Sequence, residues 1–357
     1  VFDTAELTEY AAQGKIKRSS RDGYSVWCYT QATVYDRLWD EVTMACRGLV
    51  TRDSDGALIS RPFRKFFNVG EPEAVVRQDR FFAYDKMDGS LIIVGRDPDT
   101  NEAIVSTKGS FDTWHSETAH YLLSGFIPPI GVTVIFELIH PDNRIVLDYQ
   151  GYEGLYLLGA IDNETGADVG TSEEVADYTG WHGDVVTRRS FDLGRMIETV
   201  KNPENGEGRE GFVIVWPTDE GPWDRVKLKF AHYVQLHGIY TGLTNRKVWE
   251  VLQDDTWEQW NALLEIAPDE LHDAIKSCAR EIGDQAEELE LEAVELAGHV
   301  WSYPHRKAQA EYILAHSRRP VTSLAFAALD GKNVGKLALQ QVKPEESRVL
   351  ATTLRDE

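Results

Sequence analysis

The chain has 357 residues, 42% of them hydrophobic and 10% aromatic, which is enough apolar material for a sizeable core and, at this length, for two domains. Against 59 acidic residues stand only 37 basic ones, a formal net charge of −22 that on the simplest reading argues against a generic binder of polyanions. The acid is spread evenly: residues 1–243 hold 24 basic and 38 acidic side chains, and residues 244–357 hold 13 and 21, so neither part is a basic module.

From about residue 24 to 236, short β-rich runs are separated by Gly, Pro, Asp and Asn punctuation. In chain order the expected strands are Leu91–Gly95, Ala103–Thr107, Val132–Leu138, Leu155–Leu158, Phe212–Trp216 and Val226–Phe230. Helices are expected at Ser172–Tyr178, where Thr171-Ser-Glu-Glu reads as a helix start, and at Asp192–Val200. Strands do not alternate regularly with helices, so the texture is α+β with a mixed or antiparallel sheet rather than a doubly wound parallel one. After about Thr244 turn signals thin out and Ala, Leu, Glu and Gln take over at helical spacing. One long amphipathic helix is expected from Pro268 to Leu296, with Leu271, Ile275, Ala279, Ile282, Ala286 and Leu289 three or four apart. Further helices fit Arg246–Gln253, Thr256–Ile266, His305–His316 and the last 25 residues, which makes residues 244–357 an all-α C-terminal domain after an α+β domain of residues 1–243.

Cys28, Cys46 and Cys278 lie far apart and outside CxxC spacing, offering neither a disulfide framework nor a zinc site, and they suit a reducing, cytoplasmic setting. No run of 18 apolar residues exists, and the first six residues lack the basic start and apolar stretch of a signal peptide, so no membrane association is expected. The Val1 start implies that an initiator Met, and some residues with it, precedes this sequence.

Asp85-Lys86-Met87-Asp88-Gly89-Ser90 sits directly before an apolar strand. A lysine followed by Asp-Gly at a strand boundary suits a nucleophile held on a tight turn, with Gly89 supplying a positive φ; an ordinary hairpin turn carries the same Asp-Gly signal. Lys227 and Lys229 alternate with Val226, Leu228 and Phe230, so both ammonium groups face one side of a strand, an arrangement that either meets solvent or cradles an anion. Glu137 is expected to end one apolar strand and Glu210 to precede another, where a carboxylate can hold a hydroxyl or orient water on a metal ion, or merely cap a strand in water.

At Lys86-Met-Asp-Gly-Ser90 the chain resembles the covalent nucleotidyltransferases, whose signature is Lys-x-Asp-Gly, and within them the phage-type ATP-dependent RNA ligase 1 family. Further blocks of that family's pattern follow in order: Cys46-Arg47-Gly48-Leu49-Val50, Arg61-Pro62-Phe63-Arg64-Lys65-Phe66-Phe67-Asn68, Ser106-Thr-Lys108-Gly-Ser110, Phe136-Glu137-Leu138 with Asn143-Arg144-Ile145-Val146, Glu210-Gly211-Phe212-Val213 and Lys227-Leu228-Lys229. The likeness runs from about residue 24 to 240.

The resemblance implies a nucleotidyltransferase domain followed by a helical domain, with ATP and Mg²⁺ or Mn²⁺ as cofactors. Lys86 would attack the α-phosphorus of ATP, for which its amine must be neutral although free lysine titrates near 10.4. Neighbouring cations and partial burial are the means of reaching that state. By the same likeness Lys227 and Lys229 contact the α-phosphate, and Arg47 and Lys65 hold the β- and γ-phosphates. Lys108 lies near the nucleotide, Glu137 holds the ribose, and Glu137 and Glu210 serve the metal, directly or through water. Tyr29 matches a family tyrosine near the triphosphate, and Phe67 could pack near the nucleotide, although core packing is the favoured account of either ring. The implied reaction joins RNA 3′-OH and 5′-phosphate ends, a phosphoric-ester bond, through lysyl-AMP and RNA-adenylate intermediates, with a cleaved tRNA as the expected substrate. The alternatives are an ATP-dependent DNA ligase, a capping-type nucleotidyltransferase and a non-catalytic RNA-binding relative. The helical continuation past residue 244 disfavours the OB-fold that follows the core in the first two. Nothing in the residues bears on oligomeric state.

Overall fold

The computed structural model describes residues 3–143, 146–190, 192–202, 206, 208–219, 221–254, 257–267 and 272–350. Its first strands, β1 (Ile16–Arg21) and β2 (Tyr24–Tyr29), are joined by a two-residue turn in which Asp22 and Gly23 both take positive φ, 50° and 84°, the twist that suits a tight antiparallel hairpin. With β3 (Arg47–Arg52) and β4 (Leu58–Ser60) they complete an antiparallel sheet in the order β1-β2-β3-β4.

The next strands divide between two further sheets. β5 (Phe67–Asn68) and β6 (Phe82–Lys86) belong to one; β7 (Ser90–Arg96), β8 (Ala103–Thr107), β9 (Val132–Ile139) and β10 (Gly154–Asp162) form the other, in the order β10-β9-β7-β8. The chain then returns to the first of these with β11 (Arg188–Arg189), β12 (Gly211–Trp216) and β13 (Asp224–Lys229), giving the order β11-β6-β12-β13-β5. The β13–β5 pair is parallel and the others are antiparallel, so the domain is α+β with mixed and antiparallel sheets, as expected.

The core of this region sits on β7, β9 and β10, where Ile92, Val134, Phe136 and Leu157 are fully buried, and it is covered by the helices Trp114–Leu122 and Ser172–Thr179 through Ala119 and Val175. The second of these helices starts as the sequence indicates: Thr171 and Glu174 form a reciprocal capping box, each side chain meeting the other's backbone N–H. Leu193–Lys201 is helical too, and Phe230 falls just outside β13. Trp114–Leu122 was not expected; its apolar residues are too few to show helical spacing, and its start is set by a Thr113–Ser116 capping box.

Contacts divide the chain into two compact units, Val1–Gln235 and Leu236–Glu357. In the second unit the described residues form helices. Asn245–Asp254, Trp257–Ile266, Arg306–His316 and Val334–Gln341 lie close to where periodicity puts them; residues 255–256, 268–271 and 351–357 lie outside the described part. The long helix runs His272–Val300, and its buried stripe continues past the predicted one through Ala293, Ala297 and Val300. Ala286, Ala293 and Val300, seven apart, pack against Leu324, Ala325 and Ala338 of the following helices. No helix among the described residues is long and apolar enough to cross a membrane.

Candidate active site

Lys86 ends β6 and Ser90 begins β7, and these two strands belong to different sheets. The Lys-Met-Asp-Gly segment is therefore the link by which the chain leaves one sheet for the other, not a hairpin turn. Gly89 is needed there for closeness and not for a positive φ, which corrects the expectation from sequence: a Cβ on it would stand 2.3 Å from the Leu138 carbonyl oxygen and 3.1 Å from Glu137 Cγ. Asp88 anchors the link from below. It is buried, its Oδ2 accepts from the backbone N–H groups of Val146 and Leu147 at 3.0 and 2.9 Å, and Tyr233 donates its hydroxyl proton to Oδ1 at 2.7 Å. Its own N–H donates to the Tyr149 hydroxyl at 2.9 Å.

Register explains the next contact. β6, β12 and β13 are neighbours, and Lys86, Gly211 and Lys229 sit level across them. Glu210, one residue before β12, thus projects between two ammonium groups: its Oε2 is 2.6 Å from Lys86 Nζ and its Oε1 2.8 Å from Lys229 Nζ, with the Glu210 side chain only 2% exposed. A buried carboxylate at that depth requires such pairing.

Glu137 lies inside β9, which runs on to Ile139, so it is not the strand-end acid expected. It pairs across from Leu91 and Tyr156, and its Oε1 accepts from the Gly89 N–H at 3.2 Å. Burial pushes its pKa up to about 7, with Lys86 and Arg47 pulling down and Glu210 pushing further up.

A cleft of about 210 Å³ opens beside Lys86. Its lining combines apolar side chains, Tyr84, Met87, Leu158, Val186, Val215 and Trp223, with Lys86, Arg47, Lys227 and Glu137. Arg47 and Lys227 approach the Phe66 ring, at 5.5 and 4.9 Å from its centroid. Arg47 Nη1 is buried without a hydrogen-bond partner. Burial, reinforced by Arg47, Lys86, Lys65 and Lys229, holds Lys227 well below the ordinary lysine range, so these cations crowd one another and an anion among them relieves the repulsion.

The remaining candidates stand around this centre. Lys65 is also lowered, chiefly by burial, with Arg47 and Lys108 acting in the same sense against Glu71. Its Nζ lies over the rings of Phe67 (4.1 Å) and Trp39 (5.4 Å), on the wall of a neighbouring cavity. Tyr29 meets Trp39 edge-on at 5.0 Å, and Lys108 Nζ lies over Tyr29 at 5.0 Å. Tyr29 and Phe67 are thus ring supports beneath Lys108 and Lys65 and do not line the main cleft. Sequence reasoning left out Phe66, Tyr84, Trp39 and the Asp168–Arg225 ion pair in the cleft wall. Phe66 lies inside a quoted block, whereas the other three have no local signal and reach the site only through folding.

The donors for a divalent cation are sparse. Among the described residues no three His, Cys, Asp or Glu side chains gather as a metal cluster. Glu137 and Glu210, whose charges oppose one another, nevertheless suit a magnesium-type ion that takes one or two carboxylates and completes its shell with water and phosphate.

Residues 45–126 match the model of an RNA ligase family of the T4 type. Over 217 residues the chain is 30% identical to a protein of Thermovibrio ammonificans provisionally named an RNA ligase, covering 56% of this chain and 54% of that one, so the chain spans about half the length of this relative. It is 26% identical over 347 residues to the RNA ligase of Rhodothermus phage RM378, covering 77% of both. An archaeal ATP-dependent RNA ligase structure overlays loosely, with a TM-score of 0.47, 15% identity and coverage of 93% of this chain and 96% of that one. By the family model and the two sequence relatives, the chain is similar to RNA ligases of the phage type.

Proposed function

We propose that the protein is an ATP-dependent RNA ligase that seals 3′-OH and 5′-phosphate ends. The observation that carries this reading is the placement of Lys86, hydrogen-bonded to buried Glu210, in the wall of a cleft lined by both cations and apolar side chains. A purine suits the apolar lining, and a triphosphate suits Arg47, Lys227 and their neighbours, with the unpaired Arg47 Nη1 as a ready donor.

In the first step Lys86 Nζ attacks the α-phosphorus, the bond to the β-phosphate oxygen breaks, and pyrophosphate leaves. Glu210 Oε2, 2.6 Å from Nζ, is the carboxylate within reach of the departing proton. Lys227 and Lys229 hold charge on the α-phosphate, while Arg47, Lys65 and Lys108 steady the leaving group. In the second step an oxygen of the RNA 5′-phosphate attacks the same phosphorus, the P–N bond breaks and Lys86 regains a proton. In the third, the 3′-OH attacks the RNA phosphorus of the 5′–5′ pyrophosphate and AMP departs. Glu137 and Glu210 would hold Mg²⁺ or Mn²⁺, which when bound neutralises phosphate charge.

We assign adenylyl transfer to residues 1–243 and RNA recognition to the helical residues 244–357. Resemblance to the family supports a cleaved tRNA as substrate and a cytoplasmic setting. Incubation with α-labelled ATP and magnesium, followed by a denaturing gel, tests the reading: the wild type takes label and Lys86→Ala takes none. Equal labelling of both ends the assignment. Sealing of nicked duplex DNA with no joining of RNA moves it to the DNA ligases.

A further inference from the structure

Past the end of β9, three side chains outside the nucleotide cleft form an aromatic group. Trp114, at the start of the helix Trp114–Leu122, stacks on His115 with centroids 4.2 Å apart and planes 27° apart, and meets His140 edge-on at 5.2 Å. Trp114 is 38% exposed.

This group is tied to the nucleophile's link. Asn143 is buried, and its Nδ2 donates to the Leu138 carbonyl at 3.3 Å, which fixes the orientation of the amide. Its Oδ1 then accepts from His115 Nε2 at 2.9 Å and from Ser90 Oγ at 3.1 Å. Ser90 closes the Lys86-Met-Asp-Gly-Ser segment, so one amide holds both the nucleophile's link and the ring stack. The same connection, from β8 into the helix, carries Lys108 six residues before Trp114.

We infer that Trp114, backed by His115 and His140, is a stacking platform for an unpaired nucleobase of the RNA end brought to Lys86. The inference rests on the RNA ligase reading and adds to it a contact for the strand itself. Stacking suits this chain for a reason of charge. A surface with a net −22 cannot hold RNA by broad neutralisation, whereas ring-on-base contact is indifferent to charge and to base identity. A base stacked on Trp114 is held without a basic tract.

The test uses the full-length protein and a short, fluorescein-labelled, 5′-phosphorylated single-stranded RNA, read by anisotropy and by sealing kinetics. Trp114→Ala should weaken RNA binding and raise the KM for RNA roughly tenfold, whereas Trp114→Phe keeps most of the affinity. Any loss in lysyl-AMP formation, a step without RNA, should be several-fold smaller. Unchanged RNA binding and KM in Trp114→Ala would overturn the inference. So would an equal loss in lysyl-AMP formation, because the ring would then be a prop for the Lys86 link. If the wild type takes no label from ATP, the ligase reading fails, and anisotropy still decides the fate of the platform.

Discussion

Glu137 sits in the middle of β9 with its carboxyl half-buried, and withdrawal from water is the main reason its pKa is pushed up to about 7. In the unfolded chain a glutamate titrates near 4.3. Between those values the folded protein keeps a proton that the unfolded chain has lost, so this contribution to stability is full below about pH 4 and is lost as pH rises through about 7. Glu137→Gln, which stays neutral, should therefore gain on the wild type by roughly 2 kcal/mol between about pH 5 and about pH 8 in metal-free buffer. Urea unfolding at the two pH values measures this, and a pH-independent difference would show that the fold does not hold the proton. The same variant should lose lysyl-AMP formation. At this scale the sequence marked out the candidate residues, because Lys-x-Asp-Gly and Lys-x-Lys are local patterns. It did not show their states, because the Lys86–Glu210–Lys229 contact joins positions 124 and 19 residues apart along the chain.

Strands were the most legible elements. β8 has the predicted bounds, and β7, β9 and β12 differ from them by one residue at one or both ends, since alternation and punctuation are written locally. The pairing of those strands was not legible. Asp-Gly reads equally as a hairpin or as a link between sheets, and only the positions of β6 and β7 in separate sheets decide. Gly89→Ala separates the two roles of glycine. A Cβ at 2.3 Å from the Leu138 carbonyl forces the link away from β9, at a cost of about 1–3 kcal/mol. Both the melting temperature and lysyl-AMP formation should fall, and a variant as stable and as active as the wild type would contradict the packing described. The helix Trp114–Leu122 shows the converse limit, because its identity rests on a Thr113–Ser116 capping box and on packing over β7 and β10 rather than on its own apolar spacing.

For the molecule as a whole, the net charge of −22 reads differently once the site is in view. Lys86, Arg47, Lys65, Lys108, Lys227 and Lys229 are dispersed through 183 residues of an acidic sequence, yet the electrostatic influence of the others on Lys65 and Lys227 shows them drawn into one neighbourhood. A protein with so confined a cationic patch should bind random RNA weakly, with a shallow dependence of affinity on salt, because few phosphates are neutralised. Titration of RNA at several salt concentrations measures the slope; tight binding with a steep slope would require a broad basic surface instead. The sequence by itself determined the acidic balance, the type of the strongly patterned elements and the candidate blocks around Lys86 and Lys227, all of which depend on residues near one another in the chain. Tertiary structure alone decided that Lys86 stands where the chain passes between two sheets, that Glu210 is shared by two lysines, that burial raises the pKa of Glu137 and that Trp114 connects to Ser90 through His115 and Asn143. Those properties come from side chains that meet across strands and sheets, where burial and neighbouring charge, rather than residue type, set what each group does.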